Sequence, residues 1–438
     1  MEHSEQVKIL SELIRQLDEK VNVDAGVILR NPTSVYTSSD LASKEWGEFF
    51  QNHPQLVGLS KDLPEPGYFF TIDDFGIPIL ATRDSQGHFR AFLNACRHRG
   101  VRVETELRGK RSRFACPFHK WTYDNCGSLI AIPQEDHFGA IDKSCRGLVE
   151  LPTCEKYGLL WVHPQPGSDL DVEMMLGGLA SELENWKFER MNYVGETTID
   201  MRLNWKLAND TFGETYHFHK LHKDTVGKIF YGDALSYEPF QRNHRFVFPN
   251  RGIDRVREQP RDEWRVTHGA VVIYYLFPNV HVALGRGNIN LFRIYPHPKN
   301  PSRSITQISH YFSDRLLEAK TQEGDDCDRP GEPVCNRSGW RGECHLGDYF
   351  KSSATGCSSA QDATESDSSR NSPSFWYVDP DRRKIEPGYQ RRCLDKSPWG
   401  DGWFADIPGS LVRLREVGRL RNPGGCHVSA DVKDVEIR

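Results

Sequence analysis

Two short segments of the sequence each combine one cysteine with one histidine. Cys96 and His98 form a C-x-H segment, and after 17 further residues Cys116 and His119 form a C-x-x-H segment. Two thiolates and two imidazoles suit a [2Fe–2S] centre in which the cysteines hold one iron and the histidines the other. Neutral imidazoles in place of anionic thiolates raise the reduction potential to roughly −150 to +300 mV, against about −400 mV for plant-type ferredoxins. The spacing therefore predicts an electron-transfer site.

A structural zinc ion is the alternative use of the same four residues. Zinc fingers usually pair Cys with Cys and His with His, whereas each segment here supplies one of each. The spacing therefore favours the iron–sulphur cluster over zinc, and over four unrelated core residues. The flanking residues are expected only to pack the loops and carry solvent-facing charge: Arg97, Arg99, Lys120 and Trp121.

A second concentration of metal-binding side chains lies about 100 residues downstream, in the segment 204–225. It contains Glu214, His217, His219 and His222. Non-haem Fe(II) oxygenases hold iron with two histidines and one carboxylate and leave positions open for oxygen. His219 and His222 are one helical turn apart, whereas His217 and His222 need a helix end or an irregular turn to converge. Spacing alone leaves the pair open, and a solvated histidine-rich helix is the other interpretation.

The cluster segments resemble a known family. CRHRG (96–100) and CPFHKWTYD (116–124) are similar to the two cluster loops of the Rieske oxygenase alpha subunits. Respiratory Rieske proteins typically add a cysteine to each loop, but Val101 and Phe118 stand near those places here. The resemblance runs from residue 66 to about 315 and points to oxygenases rather than to the respiratory chain.

The same resemblance selects the iron ligands. E-x-x-H-x-x-x-x-H, preceded by NWK (204–206), resembles the alpha-subunit iron motif and maps onto Glu214, His217 and His222. It implies that His217 and His222 bind mononuclear Fe(II), that His219 is a bystander, and that Cys96, His98, Cys116 and His119 bind the cluster. Glu214 would be the bridging carboxylate that links His119 of the partner subunit to His217.

The family resemblance also implies a function. The chain would be a terminal oxygenase that receives electrons from an NAD(P)H-dependent reductase, directly or through a ferredoxin. The [2Fe–2S] cluster would pass them to Fe(II), which activates O₂ to hydroxylate an aromatic or other organic substrate. The expected assembly is a homotrimer, or a trimer with a small beta subunit.

Two features depart from the family pattern. Asp210 stands where many members have Asn, seven residues before the first iron histidine. The third iron ligand should be a carboxylate far downstream, and Asp362, Glu365 and Asp367 lie at a plausible distance, but in a serine-rich stretch without helical periodicity. None of the three is assigned as the ligand.

The elements that must position these residues can be predicted from the hydrophobic pattern. Apolar residues at helical spacing predict an amphipathic helix over 5–20, and Asp40 is expected to cap a second helix that carries Trp46 and Phe49. PILATRD and FRAFLN around DSQG predict a β-hairpin. A helix is expected around 176–183, followed by the strands VVIYYLF, HVALG, NLFRIYP and RSITQISHYF.

These elements predict an α+β protein. We expect an N-terminal helical arm (1–55), a β-rich Rieske [2Fe–2S] domain (56–165) and a helix-grip catalytic domain of antiparallel sheet plus helix (166–325). The remainder, 326–438, is an atypical tail with only one helical pattern, at 410–420. A shifted reading frame or disorder would explain it. With such a tail, an electron-transfer module or an inactive product is the alternative to an oxygenase.

Composition excludes other classes of protein. The net charge is −5 and no dense basic stretch occurs, which argues against nucleic-acid binding. No run of about 18 apolar residues and no secretory leader pattern are present, so we expect no membrane span. The 11 cysteines form no compact secreted framework, which predicts a cytoplasmic protein with some cysteines serving as metal ligands.

Overall fold

The computed structural model describes residues 1–21, 31–298 and 300–322. The predicted atypical tail lies outside these residues, as do the helix at 410–420 and the candidate ligands Asp362, Glu365 and Asp367. No helix of the described part is long and apolar enough to cross a membrane.

The first 11 strands form the β-rich part of the molecule. They build a five-stranded antiparallel sheet, in the order β5-β2-β3-β4-β9, and two three-stranded sheets, β1-β11-β10 and β6-β7-β8. The predicted hairpin is confirmed, because β3 and β4 pair in antiparallel fashion around the turn at 84–88. The strands are β1 Gln55–Leu59, β2 Tyr68–Ile72, β3 Ile79–Arg83, β4 Phe89–Leu93, β5 Arg108–Lys110, β6 Arg113–Ala115, β7 Thr122–Asp124, β8 Leu129–Ala131, β9 Glu150–Leu151, β10 Thr153–Lys156 and β11 Leu159–Val162.

The remaining strands form one seven-stranded antiparallel sheet, in the order β12-β18-β17-β16-β15-β14-β13. The four predicted strands correspond to β15, β16, β17 and β18, so the predicted fold class is confirmed. The strands are β12 Met191–Met201, β13 Ser236–Phe240, β14 Asn243–Pro249, β15 Ala270–Leu276, β16 Val280–Leu284, β17 Asn288–His297 and β18 Asn300–Ser313.

Ten α-helical segments occur in the described part, and most are short. They are α1 His3–Glu19, α2 Ser34–Thr37, α3 Ser39–Glu45, α4 Val172–Leu176, α5 Ala180–Glu184, α6 Trp205–Asp210, α7 Phe218–Leu221, α8 Ile253–Val256, α9 Val266–Gly269 and α10 Asp314–Gln322. The predicted helix at 176–183 is interrupted, because Gly177 has a positive φ of 53° that ends α4 before α5 begins.

The first N-terminal helix is as predicted, but the second differs in its cap and in its end. Helix α3 ends at Glu45, and Trp46 and Phe49 lie in the π-helical segment Trp46–Gln51 that follows it. Helix α1 buries Ile9, Leu10 and Leu13 on one face, as its apolar spacing predicts. The expectation that Asp40 caps the next helix is wrong. The cap is Ser38, whose hydroxyl accepts from the Leu41 amide at 3.2 Å, and Asp40 lies inside the first turn of α3. Ser is as good a cap as Asp, so the residue two positions earlier could begin the helix.

Helix α6 lies against one face of the large sheet, beside β17 and β18. Its apolar residues Trp205 and Ala208, and Phe212 just beyond it, belong to the same buried cluster as Phe292 and Ile308 of the sheet. Alternation along β17 and β18 places the opposite face against the β-rich part. There the Arg293 guanidinium donates to the Val57 carbonyl at 2.9 Å, and the Tyr311 hydroxyl to Asp62 at 2.7 Å. The sheet is therefore held between helix α6 and the β-rich part.

Candidate metal centres

The two cysteine–histidine segments form two similar closed loops. In the first, the Gly100 amide donates to the Cys96 carbonyl and the Cys96 amide to the Val101 carbonyl, both at 2.8 Å. In the second, the amides of Lys120 and Cys116 make the equivalent bonds to Cys116 and Trp121, both at 2.9 Å. Both loops turn through a left-handed residue, Gly100 at φ 73° and Lys120 at φ 58°. The backbone therefore closes both loops in the same way, although the histidine follows its cysteine by two residues in the first loop and by three in the second.

The four side chains converge between the loops. The buried thiols of Cys96 and Cys116 contact each other, and the rings of His98 and His119 lie 4.7 Å apart between centroids. Nδ1 of His98 is buried and has no hydrogen-bond partner among the described residues. An unpaired buried nitrogen is costly unless it binds a metal such as iron. The donor set thus fits a [2Fe–2S] cluster.

The histidines of the two loops differ in exposure. His98 is half-buried, its ring stacked on Trp121 at 4.9 Å with planes 10° apart and capped by the edge of Phe138 at 5.7 Å. His119 is exposed beside the exposed ring of Phe118. Trp121, to which the sequence assigned no chemistry, therefore fixes the ring plane of His98. The exposed His119 is the member of the pair that another molecule can reach.

Tyr123 is a further residue at the cluster loops that sequence reasoning missed. Its buried hydroxyl accepts from the Arg97 amide at 2.9 Å and lies 3.3 Å from Sγ of Cys96. A cysteine that binds iron is a thiolate without a proton, so with a cluster bound the Tyr123 hydroxyl is the donor in this contact. Burial raises the pKa of Tyr123, so the hydroxyl keeps its proton. The available signal was the alternation that runs from Trp121 into β7, because it places Trp121 and Tyr123 on the same inward face.

The downstream histidines lie at the two ends of the one-turn helix α7. His217 precedes the helix and His222 follows it, with ring centroids 5.3 Å apart. His219 points elsewhere, because its Nε2 accepts from the Gly232 amide at 3.2 Å and lies 3.7 Å from the Asp233 carboxylate. The structure thus brings together the pair that the resemblance selects. It uses the irregular turn that spacing required, and it leaves His219 apart.

Glu214 supports His217 from the same turn. One of its carboxylate oxygens contacts Nδ1 of His217, and the other accepts from the His217 amide at 3.2 Å. With Nδ1 donating to the carboxylate, Nε2 is the nitrogen left for a metal, the usual tautomer of a carboxylate–histidine–metal arrangement. Desolvation by burial, with the neighbouring His217, lowers the pKa of His222 to about 4. The His222 ring is therefore available as a neutral ligand.

The described residues contain no group of three or more His, Cys, Asp or Glu side chains placed to hold one metal ion. In a [2Fe–2S] cluster each iron takes only two protein ligands, so pairs are the expected arrangement. At the second site the three unassigned candidates for the carboxylate ligand, Asp362, Glu365 and Asp367, lie outside the described residues. His217 and His222 fit two of the three ligands of a mononuclear iron.

A row of rings crosses the face of the sheet that packs against α6. Neighbouring strands align His244, Tyr275, His281 and Phe292, and His281 stacks on Phe212 at 4.0 Å. The Nε2 atom of the buried His281 lies 2.7 Å from Oδ1 of Asn209 in α6. Desolvation lowers the pKa of His281 well below its ordinary value, and burial lowers that of His244 to about 4, so both rings are neutral. Tyr275 is the residue that the predicted strand VVIYYLF contributes to this row of rings.

Comparisons with known proteins identify both domains. Residues 53–153 match the Rieske [2Fe–2S] domain, and residues 188–325 match the catalytic domain of the ring-hydroxylating alpha subunit. The chain belongs to the Rieske oxygenase alpha-subunit family. This match decides between the iron–sulphur cluster and zinc in favour of the cluster. Domains of this family bind a [2Fe–2S] cluster and a mononuclear iron.

Relatives of this Rieske oxygenase chain differ in substrate. It is 29% identical over 200 residues to the glycine betaine monooxygenase oxygenase subunit of Chromohalobacter salexigens, covering 45% of this chain and 44% of the relative. It is 30% identical over 198 residues to the chlorobenzene dioxygenase subunit alpha of a Cupriavidus species, covering 43% of each. The matches thus span less than half the length of these two curated relatives.

A solved structure supports the fold. The quaternary ammonium Rieske monooxygenase CntA in complex with L-carnitine superposes with a TM-score of 0.62 at 18% identity, covering 80% of this chain and 91% of that one. At 18% identity, this similarity is evidence for the fold alone.

Proposed function

We propose that this chain is the terminal oxygenase of a Rieske system, and that it receives electrons from an NAD(P)H-dependent reductase, directly or through a ferredoxin. The observation that carries the proposal is that one chain presents two different donor sets, Cys–His pairs in two β-loops and a His–His pair beside a carboxylate. When bound, the cluster supplies single electrons and the mononuclear iron supplies open positions for O₂.

The residues of the chain have separate tasks in this proposal. Cys96, Cys116, His98 and His119 bind the cluster, and Tyr123 donates a hydrogen bond to a ligand sulphur. His217 and His222 bind the mononuclear iron, and Glu214 orients His217 by holding its Nδ1–H. An ionised Glu214 between two imidazoles also favours their donor forms.

The proposed assembly is a head-to-tail ring of three chains, with or without a beta subunit. In it Glu214 would accept hydrogen bonds from His217 and from His119 of the partner subunit. Two observations support this contact. His119 is exposed, and the Glu214 side chain keeps 27% of its surface accessible although it contacts His217. Head-to-tail contacts of this kind close naturally into cyclic symmetry.

The proposed substrate is a small organic molecule that binds near the row of rings facing α6. Aromatic faces accept an aromatic ring by stacking and a quaternary ammonium group by cation–π attraction. Aromatic compounds are therefore the first candidates. Quaternary ammonium compounds are the second, because the glycine betaine enzyme is among the relatives and CntA shares the fold.

Oxygen uptake with a matched reductase, measured across a panel of aromatic and quaternary ammonium compounds, tests the proposal. We expect one class to stimulate uptake with a stoichiometric yield of hydroxylated product. Uptake that yields only hydrogen peroxide for every compound would contradict both substrate classes.

Iron content separates this proposal from its alternatives. About three irons per chain are expected for the oxygenase, about two for an electron-transfer module and none for an inactive product. An iron content of two with a normal cluster spectrum would contradict the oxygenase.

A further inference from the structure

Asp210 ends helix α6, and its backbone begins the turn that leads to Glu214 and His217. The Gly213 amide donates to the Asp210 carbonyl at 2.9 Å, which closes this turn. The neighbouring Asn209 is fixed to the sheet through His281. A group that holds the Asp210 side chain therefore also fixes the start of this turn, and with it the position of His217, the first iron histidine.

Two carboxylates compete for one cation at this place. The ammonium of Lys206 donates to both carboxylate oxygens of Glu45, at 2.6 and 2.7 Å, and the two side chains are only 7% and 5% exposed. The Trp205 indole also donates to Glu45, at 2.9 Å. Lys206 and Glu45 thus form a complete buried ion pair, and Asp210 has no salt bridge among the described residues.

The hydrogen-bond donor to the Asp210 carboxyl comes from the N-terminal arm. The Tyr36 hydroxyl of α2 donates to Oδ2 of Asp210 at 3.1 Å. The side-chain amide of Asn204, at the start of α6, donates to the Tyr36 carbonyl at 2.8 Å. Among the described residues Tyr36 is the only hydrogen-bond donor to this carboxyl group, and a single neutral donor without a cation fits an uncharged acid.

We propose that Asp210 is a positioning residue for the iron-binding turn and that it acts as a neutral carboxylic acid bonded to Tyr36. This inference rests on the proposed function. A second negative charge beside the complete Glu45–Lys206 pair would be left without compensation in a largely desolvated site. The neutral acid instead satisfies Tyr36 without that cost and anchors the end of α6 to the arm.

The charged groups around Asp210 allow the direction of the pH dependence to be stated. Tyr36 faces it from α2, Lys206 lies one turn earlier in α6, and Glu45 reaches it from α3 only through Lys206. Burial raises the pKa of Asp210 to about 7, against smaller opposite effects of Tyr36 and Lys206. A raised folded-state pKa means that the anchor is complete below neutrality and is lost as the pH rises through about 7.

The test compares the intact protein with Asp210→Asn, because an amide has the shape of the neutral acid but cannot ionise. Activity of the parent protein should fall about tenfold between pH 7 and pH 9 as the neutral acid disappears, whereas Asp210→Asn should lack this decline. Asp40→Asn removes an exposed carboxyl from the same arm and should keep the decline. Equal pH profiles for the parent protein and Asp210→Asn would overturn the proposal.

A measurement that needs no turnover keeps the inference separate from the proposed function. Infrared spectra of the resting protein at pH 6 should show the band of a protonated carboxyl group that disappears near pH 7 to 8 and is missing in Asp210→Asn. Retention of mononuclear iron should decrease over the same pH range in the parent protein but not in Asp210→Asn. If no substrate is ever oxidised but both changes occur, the proposed function fails and the inference stands.

Tyr36→Phe provides a further check. Without its hydroxyl donor the carboxyl group should ionise at a higher pH, because that bond favours the charged form. An absent carboxyl band at pH 6 in the parent protein, or an infrared transition unaffected by Tyr36→Phe, would overturn the proposal.

Discussion

The two candidate metal sites are built in different ways. The cluster site uses two β-loops that close themselves through paired backbone hydrogen bonds within six residues of the chain. The iron site uses a one-turn helix and its two flanking residues, supported by the sheet and by the N-terminal arm. A locally closed loop carries its own geometry, whereas the iron turn depends on remote packing. The first site should therefore withstand changes elsewhere in the chain better than the second.

The largest expected effect concerns the iron pair. His217→Ala and His222→Ala should each remove the mononuclear iron and reduce turnover by at least about 1,000-fold, with the visible cluster spectrum unchanged. His219→Ala is the matched control, because this ring bonds to Gly232 instead. Metal analysis and absorption spectra measure both sites. Iron loss in His219→Ala but not in His217→Ala would show that the pair is wrongly assigned.

The next effect concerns the cluster itself. His119→Cys should retain a cluster but lower its midpoint potential by hundreds of millivolts, because an anionic thiolate disfavours the added electron. Redox titration followed by electron paramagnetic resonance gives the potential. His137→Cys, at an exposed position outside the two loops, is the control and should leave the potential unchanged. An unchanged midpoint in His119→Cys would mean that His119 does not bind the cluster.

A smaller effect is expected where the two sites meet. Glu214→Gln keeps the size of the side chain but removes its charge, so both metals and the trimer should remain while turnover falls about 10- to 100-fold. Single-turnover kinetics, metal analysis and sizing measure the three properties. Asp233→Asn removes a nearby exposed carboxylate and serves as the control. Normal turnover in Glu214→Gln, or a fully active monomer of the parent protein, would refute the route between subunits.

The smallest effect concerns Tyr123. Tyr123→Phe removes the hydrogen bond to Sγ of Cys96, and this bond stabilises the more negative, reduced cluster. A difference of about 1.4 kcal/mol between the two redox states corresponds to about 59 mV for one electron, so the midpoint should fall by tens of millivolts. Thr122→Val is the control, because the Thr122 hydroxyl lies in the same strand but donates to the Lys120 carbonyl. This variant should leave the midpoint potential unchanged. A rise in the midpoint of Tyr123→Phe would contradict the assigned direction of the hydrogen bond.

The sequence was sufficient for features that depend on neighbouring residues. The helix at α1, the hairpin of β3 and β4 and the four late strands follow from apolar periodicity, which needs only local spacing. The cap of α3 was misplaced because Ser38 and Asp40 are both good caps, and only the path of the chain decides between them. The break at Gly177 was missed because a glycine inside a helical pattern is tolerated unless packing ends the helix there.

For the sites, the sequence by itself determined which atoms bind metal at the cluster, because the residue types and spacing of Cys96–His98 and Cys116–His119 predict a [2Fe–2S] centre. The family resemblance, rather than spacing, selected His217 and His222 over His219. The tertiary structure decided what touches these residues: Trp121 on His98, Tyr123 on Cys96, and Tyr36 on Asp210. These contacts join residues from distant segments of the chain, so a local pattern can show that Trp121 and Tyr123 face inward but not which residue each contacts. Their energies depend on burial and on which neighbour already has a partner: the Lys206 ammonium donates to both carboxylate oxygens of Glu45 and forms no salt bridge with Asp210 among the described residues.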